Sequence, residues 1–133
     1  MKAVFADTFY FLALLNDRDP AHQRAIDASK ALHLSFITTE FVLVELGDAL
    51  SKPPFREEFK AVCALIQNSG GFRVVPASSE LLHRSLARYH DRPDKEWQLT
   101  DCISFVVMEA EGITDALTGD RHFEQAGFKA LLK

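Results

Sequence analysis

Four short apolar stretches, Ala3 to Ala6, Ser35 to Thr38, Phe72 to Val75 and Ile113 to Thr118, are separated by longer segments in which apolar residues recur at helical spacing. This alternation constrains the fold more than any other feature. A strand followed by a helix and then another strand returns in the same direction as the first, so repeated units build a parallel sheet covered by helices. The expected fold class is α/β: a three-layer α/β/α sandwich around a central, mainly parallel sheet. Phe128 to Leu131 is a candidate fifth strand.

Punctuation between the strands supports this reading. Phe9, Leu12 and Ala13 continue the first strand as a helix, and Asp19-Pro20 opens a second helix that runs to about Leu32. Thr38 or Thr39 can cap a third through Ala49 or Leu50, which Lys52-Pro53-Pro54 breaks; a fourth spans Phe55 to about Asn68, ended by Ser69-Gly70-Gly71. Ser78 or Ser79 caps a fifth through Tyr89, His90 to Gln98 reads as a charged loop, and Thr100 caps a sixth that Gly112 terminates.

A chain of 133 residues with 47% hydrophobic content builds one core, so residues 1–133 are expected to form one domain. Cys63 and Cys102 form no close-spaced metal motif and, with no secretory leader ahead of them, read as reduced thiols in a cytoplasmic protein. No apolar run approaches the roughly 20 residues of a membrane span. The net charge of -4 weighs against nucleic-acid binding by bulk electrostatics, although Arg18, Lys52, Arg56, Arg88, Arg92, Lys95, Arg121 and Lys129 could form a local basic rim.

Four acids then stand out: Asp7, Glu45, Asp101 and Asp120. Asp7 directly follows the first strand, where it could be a helix cap or a cleft residue. Glu45 shares a helix stripe with Val42 and Ala49, an apolar setting in which a carboxylate needs a positive partner, either an Arg or Lys or a metal. Asp101 lies in the first turn of its helix, and Asp120 in the turn after the fourth strand. Asp48 and Asp115 read as solvent-facing or structural.

Carboxylates at strand ends converge on one cleft in such a sheet, and two unit charges about 4 Å apart repel by roughly 4 kcal/mol at an effective dielectric near 20. A divalent ion would offset that repulsion and activate water for attack on a phosphodiester. Competing chemistries fit less well. Cys102 suits a small buried residue, the five histidines lack metal-ligand spacing, and no Gly-rich phosphate loop is present. His122 reads as a surface residue, with substrate contact as the alternative. An aspartyl-phosphate mechanism wants a second Asp two residues after the first, where Phe9 stands.

Val4-Phe5-Ala6-Asp7-Thr8, Thr38 to Glu45, Trp97 to Phe105, and Ala116 to Phe123 followed by Gly127-Phe128 together resemble the PIN domain, specifically VapC-like toxins of bacterial toxin-antitoxin pairs. The resemblance implies a Mg²⁺- or Mn²⁺-dependent endoribonuclease whose catalytic acids are Asp7, Glu45, Asp101 and Asp120. Asp7 and Asp101 would be the main metal ligands, Asp120 a direct or water-mediated one, and Glu45 a positioning group, with Thr100 supporting the site through its hydroxyl. It also implies RNA as substrate, a cognate antitoxin and a homodimer. Phe41, Leu50, Phe55, Phe59 and Val62 supply apolar surface for such contacts or for ordinary core packing. The alternative is a PIN-like module that binds RNA or protein without catalysis.

Overall fold

The computed structural model describes residues 2–133. Five strands, β1 (Lys2–Ala6), β2 (Leu34–Thr39), β3 (Phe72–Val75), β4 (Asp115–Leu117) and β5 (Lys129–Ala130), form one sheet in the order β3-β2-β1-β4-β5. Every pairing is parallel. Seven helices cover it: α1 (Thr8–Leu15), α2 (His22–Ser29), α3 (Glu40–Ala49), α4 (Pro53–Asn68), α5 (Ser79–Asp91), α6 (Leu99–Glu111) and α7 (Arg121–Gln125). The expected α/β/α sandwich is the observed one.

Val4, Phe5 and Ala6 are consecutive and fully buried, as a central parallel strand covered on both faces requires. β1 pairs with β2 on one side and β4 on the other, so the strand order reverses at β1. In open α/β sheets the crevice at the carboxyl ends of strands flanking such a reversal is where ligands bind. Asp7 leaves the end of β1 there, and Thr118 to Asp120 leave the end of β4. The Thr38 hydroxyl donates to the Ala6 carbonyl at 2.8 Å, tying the end of β2 to the residue before Asp7.

Several helix boundaries differ from the sequence expectation. Pro53 and Pro54 occupy the first turn of α4, where a missing amide hydrogen leaves no bond unmade, so the prolines begin this helix as well as ending the previous one. α5 runs on to Asp91. α6 starts at Leu99 with Gln98 as its cap, so Thr100 is already inside the helix; a reciprocal pair of hydrogen bonds between Gln98 and Asp101 outcompetes the threonine cap. Thr39 and Ser78 are the caps of α3 and α5, each accepting from the amide three residues on. Asp101 to Met108 are all buried, which makes α6 a helix with no solvent-facing side over two turns.

Candidate active site

Asp7 stands in the N-cap position of α1, yet its side chain makes no capping bond. Its Oδ2 instead accepts from the Thr118 hydroxyl at 2.9 Å. The same Thr118 oxygen accepts from the Asp120 amide at 3.1 Å, so one hydroxyl couples the end of β1 to the turn after β4. The simpler role open to Asp7, capping its own helix, is therefore not the one it plays.

Asp101 is buried at the start of α6, its Oδ2 accepting from the Gln98 amide at 3.0 Å and lying 2.9 Å from His122 Nδ1. Asp120 uses Oδ1 to cap α7, accepting from the His122 amide at 2.9 Å. Ligand atoms of Asp101, Asp120 and His122 lie within 4.8 Å of one another. Glu45 is half-buried on α3, and its Oε1 accepts from the Thr8 hydroxyl at 2.5 Å. No lysine, arginine or histidine among the described residues comes within ion-pairing distance of Asp7 or Glu45. The protein cation that could have satisfied Glu45 is not there.

Across the four acids one pattern repeats. Well-formed hydrogen bonds end on a single oxygen of each: Oδ2 of Asp7, Oε1 of Glu45, Oδ2 of Asp101 and Oδ1 of Asp120. No buried side-chain oxygen among the described residues lacks a partner, so the second oxygens are not sealed in the core. Carboxylates held by one oxygen and offering the other are suited to monodentate binding of a hard cation.

Electrostatics point the same way. Burial pushes the Asp7 carboxyl from 3.8 up to about 7; Asp101 and Glu45 add to the rise, while the Thr118 hydroxyl and the Thr8 amide oppose it. Burial also raises Asp101, against the opposing pull of His122 and the Gln98 amide. An electrostatic deficit of this kind is what a bound cation relieves.

The structure therefore links the four sequence candidates, Asp101 and Asp120 directly with His122, Asp7 through Thr118, and Glu45 through Thr8 and its charge on Asp7. Thr100 is different: its carbonyl accepts from Ser104, and no hydrogen bond joins its hydroxyl to the acids. His122 does not stand free on the surface: it is half-buried, with a side chain 17% exposed that bonds Asp101. Thr118 escaped sequence reading altogether, since a threonine ending a strand carries no chemical signal until its partners are known. Asp115 pairs with Lys2 at 2.7 Å, which holds its carboxyl below the usual range, and Asp48 is exposed. Cys102 is buried and its thiol is pushed up by that burial, which makes it a poor nucleophile.

The proposed basic rim is partly neutralised: Arg88 pairs with Glu109, Arg92 and Lys95 with Asp94, and Arg121 approaches Glu96. Of the apolar residues of α3, its C-terminal cap and α4, Leu50 and Val62 enter the core and Phe41 and Phe59 pack at its margin. Phe55 is exposed, as are Val44 and Leu65. No helix among the described residues is long and apolar enough to cross a membrane.

VapC20 of Mycobacterium tuberculosis, named as a 23S rRNA-specific endonuclease, is 28% identical over 125 residues, covering 94% of this chain and 95% of its own. The crystal structure of VapC20, titled a sarcin-ricin loop cleaving toxin, matches with a TM-score of 0.82 at 29% identity and the same coverage. VapBC2 from Rickettsia felis shares the fold at a TM-score of 0.68 and 13% identity over 96% of both chains. The model of the PIN domain matches residues 4–129, from the strand that delivers Asp7 to the strand that closes the sheet, and the chain belongs to the PIN domain family.

Proposed function

We propose that this protein is a divalent-metal-dependent endoribonuclease acting as the toxin of a toxin-antitoxin pair, with Asp7, Asp101 and Asp120 as ligands of Mg²⁺ or Mn²⁺. The observation that carries the proposal is the set of acids at the strand-order reversal, each anchored through one oxygen, with no protein cation beside Asp7 or Glu45. Two of them are buried carboxyls whose ionisation is opposed by burial, and a cation is the partner such a cluster lacks.

The chemistry the ion supplies is Lewis-acid stabilisation of the phosphodiester and a lowered pKa for the attacking water. The protein's part is positioning. The Thr118 hydroxyl donates to Asp7 and accepts from the Asp120 amide, so ligands from β1 and β4 keep a common register. Thr8 holds Glu45, leaving its other oxygen to orient water or substrate at the edge of the cleft. The buried α6 gives Asp101 a rigid base, which matters because small displacements of a reacting group weaken catalysis severely.

VapC20 and its ribosomal substrate make 23S rRNA the first RNA to test. The exposed Val44, Phe55 and Leu65 on α3 and α4 are apolar surface suited to an antitoxin segment or a second copy of the chain. Purified protein is expected to cleave structured RNA with Mg²⁺ or Mn²⁺ and to stop with chelator. Asp7→Asn and Asp101→Asn are each expected to lose activity while retaining the wild-type circular dichroism spectrum. Unchanged cleavage in both variants would remove the metal-site assignment, and RNA binding without cleavage in the wild type would favour a non-catalytic module.

A further inference from the structure

His122 joins two of the acids through different parts of one residue. Its backbone amide donates to Asp120 Oδ1 at 2.9 Å, and its ring Nδ1 lies 2.9 Å from Asp101 Oδ2. A carboxylate oxygen only accepts, so the proton of this bond sits on Nδ1. The distance from Nδ1 to Asp120 Oδ1 is 3.5 Å, too long to compete with the Asp101 bond.

Asp101 Oδ2 thus receives two donors, the Gln98 amide from its own helix cap and the imidazole from α7. Two donors on one oxygen fix the torsion of the carboxylate and leave only Oδ1 for a ligand. The Gln98 bond alone would not do this. A capping interaction tolerates rotation about the last side-chain torsion, which is broad for aspartate, whereas a second donor from another element locks it. The imidazole is itself aimed by the cap of α7, because its amide is pinned to Asp120.

We infer that His122 is a positioning residue that holds Asp101 through Oδ2 so that Oδ1 alone faces the metal. The inference rests on reading Asp101 as a metal ligand. His122 acts through Asp101 and does not itself coordinate the ion. Groups that orient a metal ligand from behind commonly change metal affinity or activity by 10- to 100-fold when removed.

The discriminating substitutions are His122→Ala and His122→Asn, because the side-chain amide nitrogen of asparagine falls near the place of imidazole Nδ1, while nothing in asparagine replaces Nε2. Mn²⁺ affinity of the intact protein is measured by the electron paramagnetic resonance signal of unbound Mn²⁺, beside kcat and KM for RNA cleavage. The expected result is about tenfold weaker Mn²⁺ binding in His122→Ala, recovery to near wild type in His122→Asn, and matching changes in kcat with KM for RNA little altered. Equal loss in both variants would show that the imidazole acts through Nε2, as a ligand or a substrate contact, and unchanged affinity in His122→Ala would show that Asp101 needs no such support; either result overturns the inference. Asp101→Asn serves as the reference. If Asp101→Asn retains wild-type Mn²⁺ affinity, the metal-ligand reading itself is what fails; if it loses the ion while His122→Ala does not, only the positioning role fails.

Discussion

The buried Asp7 predicts that the native fold is destabilised by its own active site. With chelator present, its carboxyl titrates at about 7 in the folded protein against an ordinary 3.8. A difference of about 3 in pKa corresponds to about 4 kcal/mol between the two protonation states. The sign follows from which state holds the proton: between pH 4 and 7 the folded chain keeps it and the unfolded chain has released it. Stability associated with Asp7 is therefore fully present below pH 4 and lost as pH rises through 7. Asp7→Asn removes this dependence while keeping the size of the side chain and an oxygen able to accept from Thr118. In urea unfolding with chelator, the variant should be within about 1 kcal/mol of wild type at pH 4 and more stable by about 2 to 4 kcal/mol at pH 8. Asp101 is raised in the same direction, so the wild-type curve alone does not isolate Asp7, whereas the difference between the two proteins isolates the part that depends on the Asp7 charge, its coupling to Asp101 included. Saturating Mn²⁺ should reverse the order at pH 8, since only wild type gains the free energy of a bound ion. A variant less stable than wild type at pH 8 in chelator, or a difference that does not change with pH, would refute the reasoning.

Thr118→Val removes a donor from Asp7 and an acceptor from the Asp120 amide, so unfolding measurements should show a loss of about 1 to 3 kcal/mol, with Thr118→Ser close to wild type. Gly119 has no room for a side chain, because an added Cβ would lie 2.5 Å from Cζ of Phe9. Gly119→Ala should lower both cleavage and thermal stability by displacing either Phe9 or Asp120, costing about 1 to 3 kcal/mol, and Phe9→Leu in the same chain should recover part of the loss. Asp115→Asn breaks an ion pair whose lysine is more than half exposed and which belongs to the opposite end of β1, so cleavage should be unchanged and stability should fall by no more than about 1 kcal/mol.

What the sequence made legible is what local pattern determines. The apolar run Ala3 to Ala6 reads as a strand that leads into a helix, and its ending at Asp7 puts that acid at the carboxyl end of the central strand, where the structure has it. The helical stripe through Val42 and Ala49 marked Glu45 as a carboxylate out of place, and the structure answers with Thr8 and a neighbouring acid in place of a cation. What remained hidden depends on partners distant in sequence. Thr118 meets Asp7 across 111 positions, and nothing local distinguishes its hydroxyl from that of Thr100, which makes no hydrogen bond to these acids. His122 reads from sequence as a surface residue because α7 is only five residues long, too short for periodicity to reveal which way its side chains turn. The cap of α6 was misplaced because Thr100 has the stronger intrinsic preference, while the bonds between Gln98 and Asp101 form only together.

That last displacement bears on function. Had Thr100 been the cap, Asp101 would occupy the first turn with both oxygens available, free to rotate and to bind an ion with either or both. With Gln98 as cap, Asp101 is the third helical residue, and its Oδ2 is engaged in starting the very helix that carries it. The bond that begins α6 is thus also a bond that orients the proposed ligand. Loosening the N-terminus of α6 should therefore weaken the site through Asp101 even though no substituted residue touches substrate. The same economy recurs at Asp120, whose Oδ1 begins α7 while Oδ2 stays available. Both acids organise a helix with one oxygen and leave the other without a protein hydrogen-bond partner, so the bonds that start α6 and α7 also orient the proposed ligands.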